Sequence, residues 1–573
     1  YFLADDFVHV PYLYQVFHGH PNLLVENFYS NWMQAQGTQF YRPLISITLA
    51  IDYLFWGVNA VGYHITNFCY QCAATIFLFL SVRELFESRP ELSDAIALKP
   101  AHARWVAFVA GAIFAAFPLH AEVVSWIIAR VDSVACAFLT ASFWLYLRAG
   151  GASKRALSAV CSYGAFTLAL LSKEMSITLP PTLVLLELLR AEDGSWLSRV
   201  ARAFKYTWVY WLILLVYLVV RTLSLGTIAG GYAGSIGHGL SDSLVKRWFQ
   251  DGSMGRVFFP LNSYLPASAS RLRRALRLLY QLIAAAFVFR MILLSKVKGL
   301  RPRAYWLALL FAIGWFVLCL LPTYQVWNLT ESLQGSRFIY LGTAPLALFL
   351  ALLLAPVAPP ERDGSREAST ARLFNCAMAV LAASLVVTFA QIALADNMQW
   401  GRASAGLRGF KKAVESEFDR LPKDCTMAVL NIPQRYEGAH MLYNAATMSV
   451  LFSAPLSAKN YASRIATFEP IEFGDADLIS AARLKRYLAE NGDTERIRFY
   501  RWRPQELKLQ ALHLVPSSAQ LSLAGPKFKA PLAAGFCLVS PPINLPSTAT
   551  AFVDIKLSGT AKHTNGPDSV LTL

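Results

Sequence analysis

The sequence predicts a mainly α, polytopic membrane protein that ends in a soluble α+β domain, and three observations lead there. Of its 573 residues, 55% are hydrophobic, 13% aromatic and only 15% charged, where soluble chains carry about 25% charged residues. Between residues 59 and 395, apolar runs recur at lengths near the ~20 residues a helix needs to cross a bilayer. From Asp396 onward the composition returns to that of a soluble protein.

Residues 1–58 make the first expected domain, an outer loop of polar and aromatic character with short amphipathic pieces. Within it, PLISITLAIDYLFW (43–56) is apolar but short and holds Asp52, so it reads as an interfacial helix rather than a span. Residues 59–395 make the transmembrane core. Spans are expected at 60–82, 104–119, 133–149, 155–172, 175–190, 205–223, 275–295, 304–321, 337–355 and 372–395, about ten in all. The run 104–119 is short and its neighbour HAEVVSWIIARV (120–131) is amphipathic, which places that neighbour along the membrane surface. Tyr1-Phe2-Leu3 reads as the stump of a helix, so a first span is expected upstream. In the tail, 396–573, the segments 425–431 and 537–541 read as strands and 475–491 as an Asp-capped helix. The tail shows no repeat of fixed period. Cys425 and Cys537 lie in it and can form one disulfide if it is extracytoplasmic. Cys69-x-x-Cys72 sits in an apolar run with no second pair or histidine set, so it is not a metal or redox motif.

The net charge of +16 would suggest nucleic acid in a soluble protein. Here the basic residues fall in short links between apolar runs, so no nucleic-acid partner is expected and membrane lipids take that place. The links 83–104, 148–155, 190–205, 296–303 and 356–372 are Arg- and Lys-rich and alternate along the chain, which assigns them to the cytoplasm by the positive-inside rule. The other face then receives 1–58, 120–132, the Lys173 turn, 224–274, 322–336 and the tail. RLRRALR at 271–277 breaks the rule, an arginine cluster suited to lipid headgroups or an anionic ligand.

On that outer face the polar residues gather at the ends of apolar runs. They are Asp5, Asp6, Arg42 and His64, then His120, Glu122, Arg130 and Asp132, then Lys173 and Glu174, then Arg221, and last Arg337 and Tyr340. Ionisable groups there are costly and are functional candidates by default. Each has a bland alternative: interfacial placement for His120 and Glu122, an ordinary turn for Lys173-Glu174, snorkelling for Arg337. Asp5-Asp6 can act as a general base or hold a divalent cation, or can simply cap a helix. A cation on Asp5 or Asp6 is the one cofactor the sequence leaves room for. Acids together with Arg and Lys at a membrane surface suit a reaction on a lipid-linked phosphate, because Arg offers paired donors to phosphate and a carboxylate can deprotonate an attacking hydroxyl. No glycine-rich phosphate loop is present, so the donor is expected through the membrane.

The strings ADDF, FYRPL, LFWGVNAVGYHITN, FPLHAEVVSWIIARVDSVA, LLSKEMSITLP and SRFIYLGTAPLAL together resemble the membrane core of the transmembrane O-mannosyltransferases that carry tetratricopeptide repeats, and its bacterial relatives, within the GT-C class of polytopic glycosyltransferases. The resemblance covers about residues 1–355. It implies a catalytic acidic pair at Asp5 and Asp6, with Glu122 beside them. Arg42, Arg130, Lys173, Arg221 and Arg337 become candidates for donor phosphate, with His64, His120, Asp132, Glu174 and Tyr340 in support. The tail lacks the repeats of the animal members. The expected activity is transfer of a sugar from a polyprenyl-phosphate carrier to an acceptor hydroxyl, on protein, glycan or lipid, at the outer face. That face is periplasmic in a bacterial inner membrane or lumenal in an endoplasmic-reticulum membrane, with other membrane subunits left open as partners. A transporter or flippase of lipid-linked intermediates would instead show inverted repeats with broken helices. In a non-catalytic scaffold the outer polar residues would not converge.

Overall fold

The computed structural model describes residues 1–34, 39–87, 100–149, 155–190, 195–227, 252–264, 268–296, 302–323, 328–357, 366–430, 432, 435–436, 438–442, 445–466, 496–503, 506–516, 529–532 and 536–539. They divide into two compact units: Tyr12–Gly401 with Glu437–Ala439, and Tyr1–Pro11 with Arg402–Tyr436 and His440–Leu573. The segment expected as the first loop is therefore shared between the two.

The larger unit is helical, and the protein is polytopic. Among the described residues, five helices are long and apolar enough to cross a membrane, within Ala60–Glu87, Trp196–Leu225, Ser270–Ile292, Tyr305–Thr323 and Ala368–Phe418; a sixth arises if the pair His102–Ala115 and Pro118–Ser125, bent by 51°, counts as one span. The remaining expected spans map to shorter helices, Arg155–Leu170, Leu179–Arg190 and Thr343–Leu353, and to Arg130–Ala149, which carries three charges. The difference has a physical reason. Arg130–Ala149 and Thr343–Leu353 lie largely inside the bundle, where a helix need not meet lipid along a full bilayer thickness, whereas Arg155–Leu170 presents Leu157 and Val160 outward and Trp196–Leu225 presents Leu212, Leu215, Val219 and Leu223.

Local sequence sets several ends. Pro43 starts the helix Pro43–Trp56 where no intrahelical N–H is needed. Ser195 caps Trp196–Leu225 by accepting from the Ser198 N–H, and Gly226 closes that helix at φ 71°. Between buried helices, where lipid offers no hydrophobic drive, hydroxyls supply polar attachment: Ser142 Oγ donates to the Ser162 carbonyl at 2.8 Å, and Ser162 Oγ lies 2.6 Å from the Tyr210 hydroxyl. One expectation is corrected here. The segment 120–131 does not lie along a surface; Pro118–His120 and Ala121–Ser125 form two short turns and only Val124 and Ser125 are partly exposed. Its charged side chains are buried because each finds a partner inside the unit.

The smaller unit holds a six-stranded mixed sheet. Its strands are β1 (Thr426–Leu430), β4 (Ile465–Ala466), β5 (Ile497–Arg503), β6 (Lys508–Pro516), β7 (Lys529–Leu532) and β8 (Phe536–Val539), with the two-residue strands β2 (Arg435–Tyr436) and β3 (Ala439–His440) outside it. The order is β4-β1-β5-β6-β8-β7, with β1 parallel to β4 and β5 and the other pairs antiparallel. The expected strands at 425–431 and 537–541 correspond to β1 and β8, while the expected helix at 475–491 lies outside the described residues. Trp502 on β5 is buried edge-on against Phe410 at 5.2 Å. Cys425 is buried, and the side chain of Cys537, its expected disulfide partner, lies outside the described residues. The chain's first residues belong to this unit: the Tyr1 amino group donates to Ser404 Oγ at 2.7 Å and the Ala4 N–H to the Met441 carbonyl at 2.9 Å.

Candidate active site

Asp5 and Asp6 stand at a sharp entry into the helix Asp6–Phe17. Ala4 adopts φ 48°, a left-handed conformation that costs a residue with a Cβ about 1 kcal/mol or more. The turn lets Asp6 Oδ2 accept the Leu3 N–H at 2.9 Å while the Asp6 N–H returns to the Leu3 carbonyl at 3.0 Å. The Asp6 side chain is buried, whereas Asp5 is half-buried. The two neighbours thus have different surroundings, as successive side chains at a helix start must. A divalent cation takes six or more oxygen ligands, and among the described residues no three of His, Cys, Asp and Glu converge as such a site requires.

In the larger unit, three ion pairs lie side by side. Arg42, immediately before the helix Pro43–Trp56, grips Glu174 with both arms of its guanidinium, Nη2 to Oε1 at 2.7 Å and Nε to Oε2 at 3.2 Å. It also lies over the rings of Phe40 at 4.1 Å and Trp32 at 5.1 Å. Lys173, next in sequence to Glu174, holds Asp132 Oδ1 at 2.5 Å. Arg337 meets Glu122 Oε1 at 3.2 Å, while Oε2 accepts from Ser336 Oγ at 3.0 Å and from the Arg337 backbone N–H at 3.1 Å. Their proximity shows in shared surroundings. Asp132 senses the charges of Lys173, Arg42 and Arg337, and the Phe338 ring lies 5.7 Å from Lys173 Nζ and 5.1 Å from the Arg337 guanidinium. Burial pushes the Glu174 carboxyl up, but the Arg42 charge and hydrogen bonds, with Lys173 behind them, outweigh it and hold the group down at about 2. The cluster is matched charge for charge. Its most accessible cation is Arg337, 16% exposed, and Arg42 and Lys173 are both 2% exposed.

Other predicted residues are engaged elsewhere. Arg130 is fully buried. It pairs with Asp52 Oδ2 at 2.6 Å and donates to the carbonyls of Tyr63 and Ile127, so it has no face to offer a phosphate. His120 sits in a closed ring of hydrogen bonds. Gln71 Nε2 donates to Nδ1 at 3.0 Å, Nε2–H donates to Thr343 Oγ1 at 2.7 Å, Thr343 donates to the Tyr340 carbonyl at 2.6 Å, and the Tyr340 hydroxyl returns to Gln71 Oε1. That ring assigns a neutral imidazole with its proton on Nε2. Arg221 ends its helix near the Gln39 and Thr227 carbonyls, and Tyr217 senses it together with Arg42 and Glu174. His64 is half-buried on the helix Ala60–Glu87.

Asp52, Gln71 and Thr343 were not predicted as partners. Asp52 carried a readable signal as a carboxylate inside an apolar helix; an amide and a hydroxyl in apolar runs carry none. Also unforeseen is a cavity of about 10 Å³, lined by Glu122, Asn262, Gln334, Asp396, Gln399 and Trp400 among others. It has room for about one water molecule. Asn262 Nδ2 donates to Asp396 Oδ1 at 2.8 Å at its edge.

No family model matches the chain. Among curated proteins it is 30% identical over 128 residues to Protein O-mannosyl-transferase Tmtc1 of Drosophila melanogaster, covering 22% of this chain and 13% of that protein. It is 28% identical over 160 residues to Tmtc2 of the same fly, 27% of this chain and 16% of that one, and 24% identical over 167 residues to human TMTC3, 28% and 16%. The matched region thus spans less than a fifth of those relatives' length. Among solved structures, ArnT from Cupriavidus metallidurans in the apo state aligns at 12% identity and TM-score 0.38 over 94% of both chains. The Archaeoglobus fulgidus oligosaccharyltransferase aligns at 11% identity and TM-score 0.39 over 77% of this chain and 59% of that one. The resemblance of the membrane core to the transmembrane O-mannosyltransferases, drawn above from six motifs, is borne out by the curated relatives.

Proposed function

We propose that this protein is a membrane glycosyltransferase that moves a sugar from a polyprenyl-phosphate carrier to an acceptor hydroxyl on the non-cytoplasmic face. The observation that carries the reading is the cluster of Arg42–Glu174, Lys173–Asp132 and Arg337–Glu122, with Phe338 against both Lys173 and Arg337. Three preorganised cations in a polytopic bundle suit stabilisation of a leaving phosphate. Arg337 is the group to meet it. When its guanidinium turns to phosphate, Glu122 keeps two donors, Ser336 Oγ and the Arg337 N–H, and is not left orphaned.

The step is a single displacement. The acceptor oxygen attacks the anomeric carbon, its proton passes to a carboxylate of the Asp5–Asp6 pair, and the carbon–oxygen bond to the carrier breaks. The carrier phosphate leaves with that electron pair and inverts the anomeric centre. Asp5, the less enclosed of the two, is the base, and Asp6 orders the turn through Leu3. The tail from 396 would present or recognise the acceptor. The named activity of the curated relatives makes mannose the first sugar to test and a hydroxyl of protein the first acceptor.

Purified chain supplied with polyprenyl-phosphate mannose and a Ser/Thr peptide tests this. Asp5→Asn should lower turnover by ~10²-fold or more, the scale of a lost general base. Asp6→Asn should cost mainly stability, about 1 kcal/mol. Parental turnover in both variants and in the double variant would remove the mechanism.

A further inference from the structure

The arginines of RLRRALR play no part in the cluster above. Arg271, Arg273, Arg274 and Arg277 lie in the first three turns of the helix Ser268–Lys296, and all four are exposed. Among the described residues none of them has an ion pair or a side-chain hydrogen bond. They also stand at the end of the helix where the macrodipole disfavours positive charge, so among the described residues nothing offsets them.

The rest of the helix says what does. Its inward face is Leu276, Leu279 and Ile283, all buried. Its outward face continues from the arginines as exposed apolar residues: Leu278, Leu282, Phe289 and Ile292. Arg271 and Arg274 fall on that same outward face, since 271, 274, 278, 282, 289 and 292 follow the three-and-four spacing of one helical stripe. At 1.5 Å per residue the apolar part of the stripe, Leu278 to Ile292, is roughly 21 Å long, more than the ~15 Å of one leaflet, half of the ~30 Å hydrocarbon thickness. A surface with guanidinium groups at one end and an apolar strip of at least one leaflet's depth below them is complementary to one phospholipid, headgroup at the arginines and acyl chains along the strip.

We propose that this face is a binding site for anionic glycerophospholipid of the surrounding bilayer, its headgroup held by Arg271 and Arg274 at the head of the stripe, with Arg273 and Arg277 adding positive charge beside it. The proposal is independent of the glycosyltransferase reading. Its test uses the full chain in nanodiscs of phosphatidylcholine with a trace of headgroup-labelled phosphatidylglycerol or labelled phosphatidylcholine. The parent should retain phosphatidylglycerol at least about tenfold better, on the scale of the attraction each basic residue exerts near an anionic headgroup, and the preference should fall as salt rises. Joint Arg271→Gln, Arg273→Gln, Arg274→Gln and Arg277→Gln should abolish it, and the four Arg→Lys changes should preserve it. No preference in the parent, or a preference that survives in a folded glutamine variant, overturns the proposal. If the glutamine variant does not fold, the salt titration of the parent decides, and a salt-insensitive preference is contrary. Displacement of the label by equimolar polyprenyl phosphate or by inorganic phosphate would assign the arginines to another phosphate and overturn the lipid as occupant.

Discussion

Two arginine–carboxylate pairs in the same unit use identical chemistry for different ends. Arg130–Asp52 is sealed, with 0% and 4% side-chain exposure, and the arginine's other donors run to main-chain carbonyls. Arg337–Glu122 is longer, 3.2 Å against 2.6 Å, and leaves the arginine 16% exposed over Trp126 and Phe338, and Glu122 has two donors besides it. The first pair cannot lose a member without orphaning a buried charge. The second can release its guanidinium. Being costly in an apolar setting marks an ionisable residue for attention; whether its partner can spare it decides what it does.

The sharpest break of this comparison is Arg130→Ala. It leaves Asp52 with only the Thr66 hydroxyl at 2.7 Å, and removing one member of a buried pair costs about 3–5 kcal/mol. Thermal unfolding in detergent should show a large loss, partly restored when Asp52→Leu is added. An unfolding midpoint like the parent's would mean the pair is not structural.

A smaller effect is expected at His120. In His120→Asn the ring through Gln71, Thr343 and Tyr340 opens and leaves buried polar atoms unmatched, at about 1–3 kcal/mol. Because the imidazole is neutral and fully used, the pH profile of turnover should keep its shape. A profile that loses a limb near neutral pH would make His120 a participant in proton transfer.

The smallest effect is the acid response of Arg42–Glu174. The folded Glu174 carboxyl sits at about 2, below its ordinary value, so the pair contributes stability above the ordinary carboxyl range and loses it as pH falls through that range toward about 2. The stability gap between the parent and Glu174→Gln should be constant near neutrality and shrink as the solution is acidified. A gap that widens on acidification would reverse the sign argued here.

How much of this was legible beforehand depends on the distance between partners. Apolar length and charge placement revealed the bundle, the short apolar helix Pro43–Trp56 and the residues Glu122, Lys173, Glu174 and Arg337. Pairing was not legible, because Arg42 meets Glu174 across 132 positions and Arg337 meets Glu122 across 215. His120 and Glu122, like Arg130 and Asp132, are near neighbours in sequence yet take different partners, for a geometric reason. Residues two apart near a helix point to different sides, so His120 joins Gln71 while Glu122 joins Arg337, and Arg130 joins Asp52 while Asp132 joins Lys173. Buried helices such as Arg130–Ala149 read as full spans because apolar composition does not distinguish lipid from protein as the neighbour.

The central claim is that Arg337 serves the carrier phosphate while Arg130 serves the fold. Binding of polyprenyl-phosphate mannose to purified Arg337→Ala, beside Arg130→Lys as the folded control, tests it most directly. The account predicts that Arg337→Ala unfolds near the parental midpoint yet loses donor affinity on the order of 10²-fold, the scale of removing one preorganised phosphate donor, while Arg130→Lys binds as the parent does. Parental donor affinity in Arg337→Ala, or an equal loss in Arg130→Lys, would contradict it.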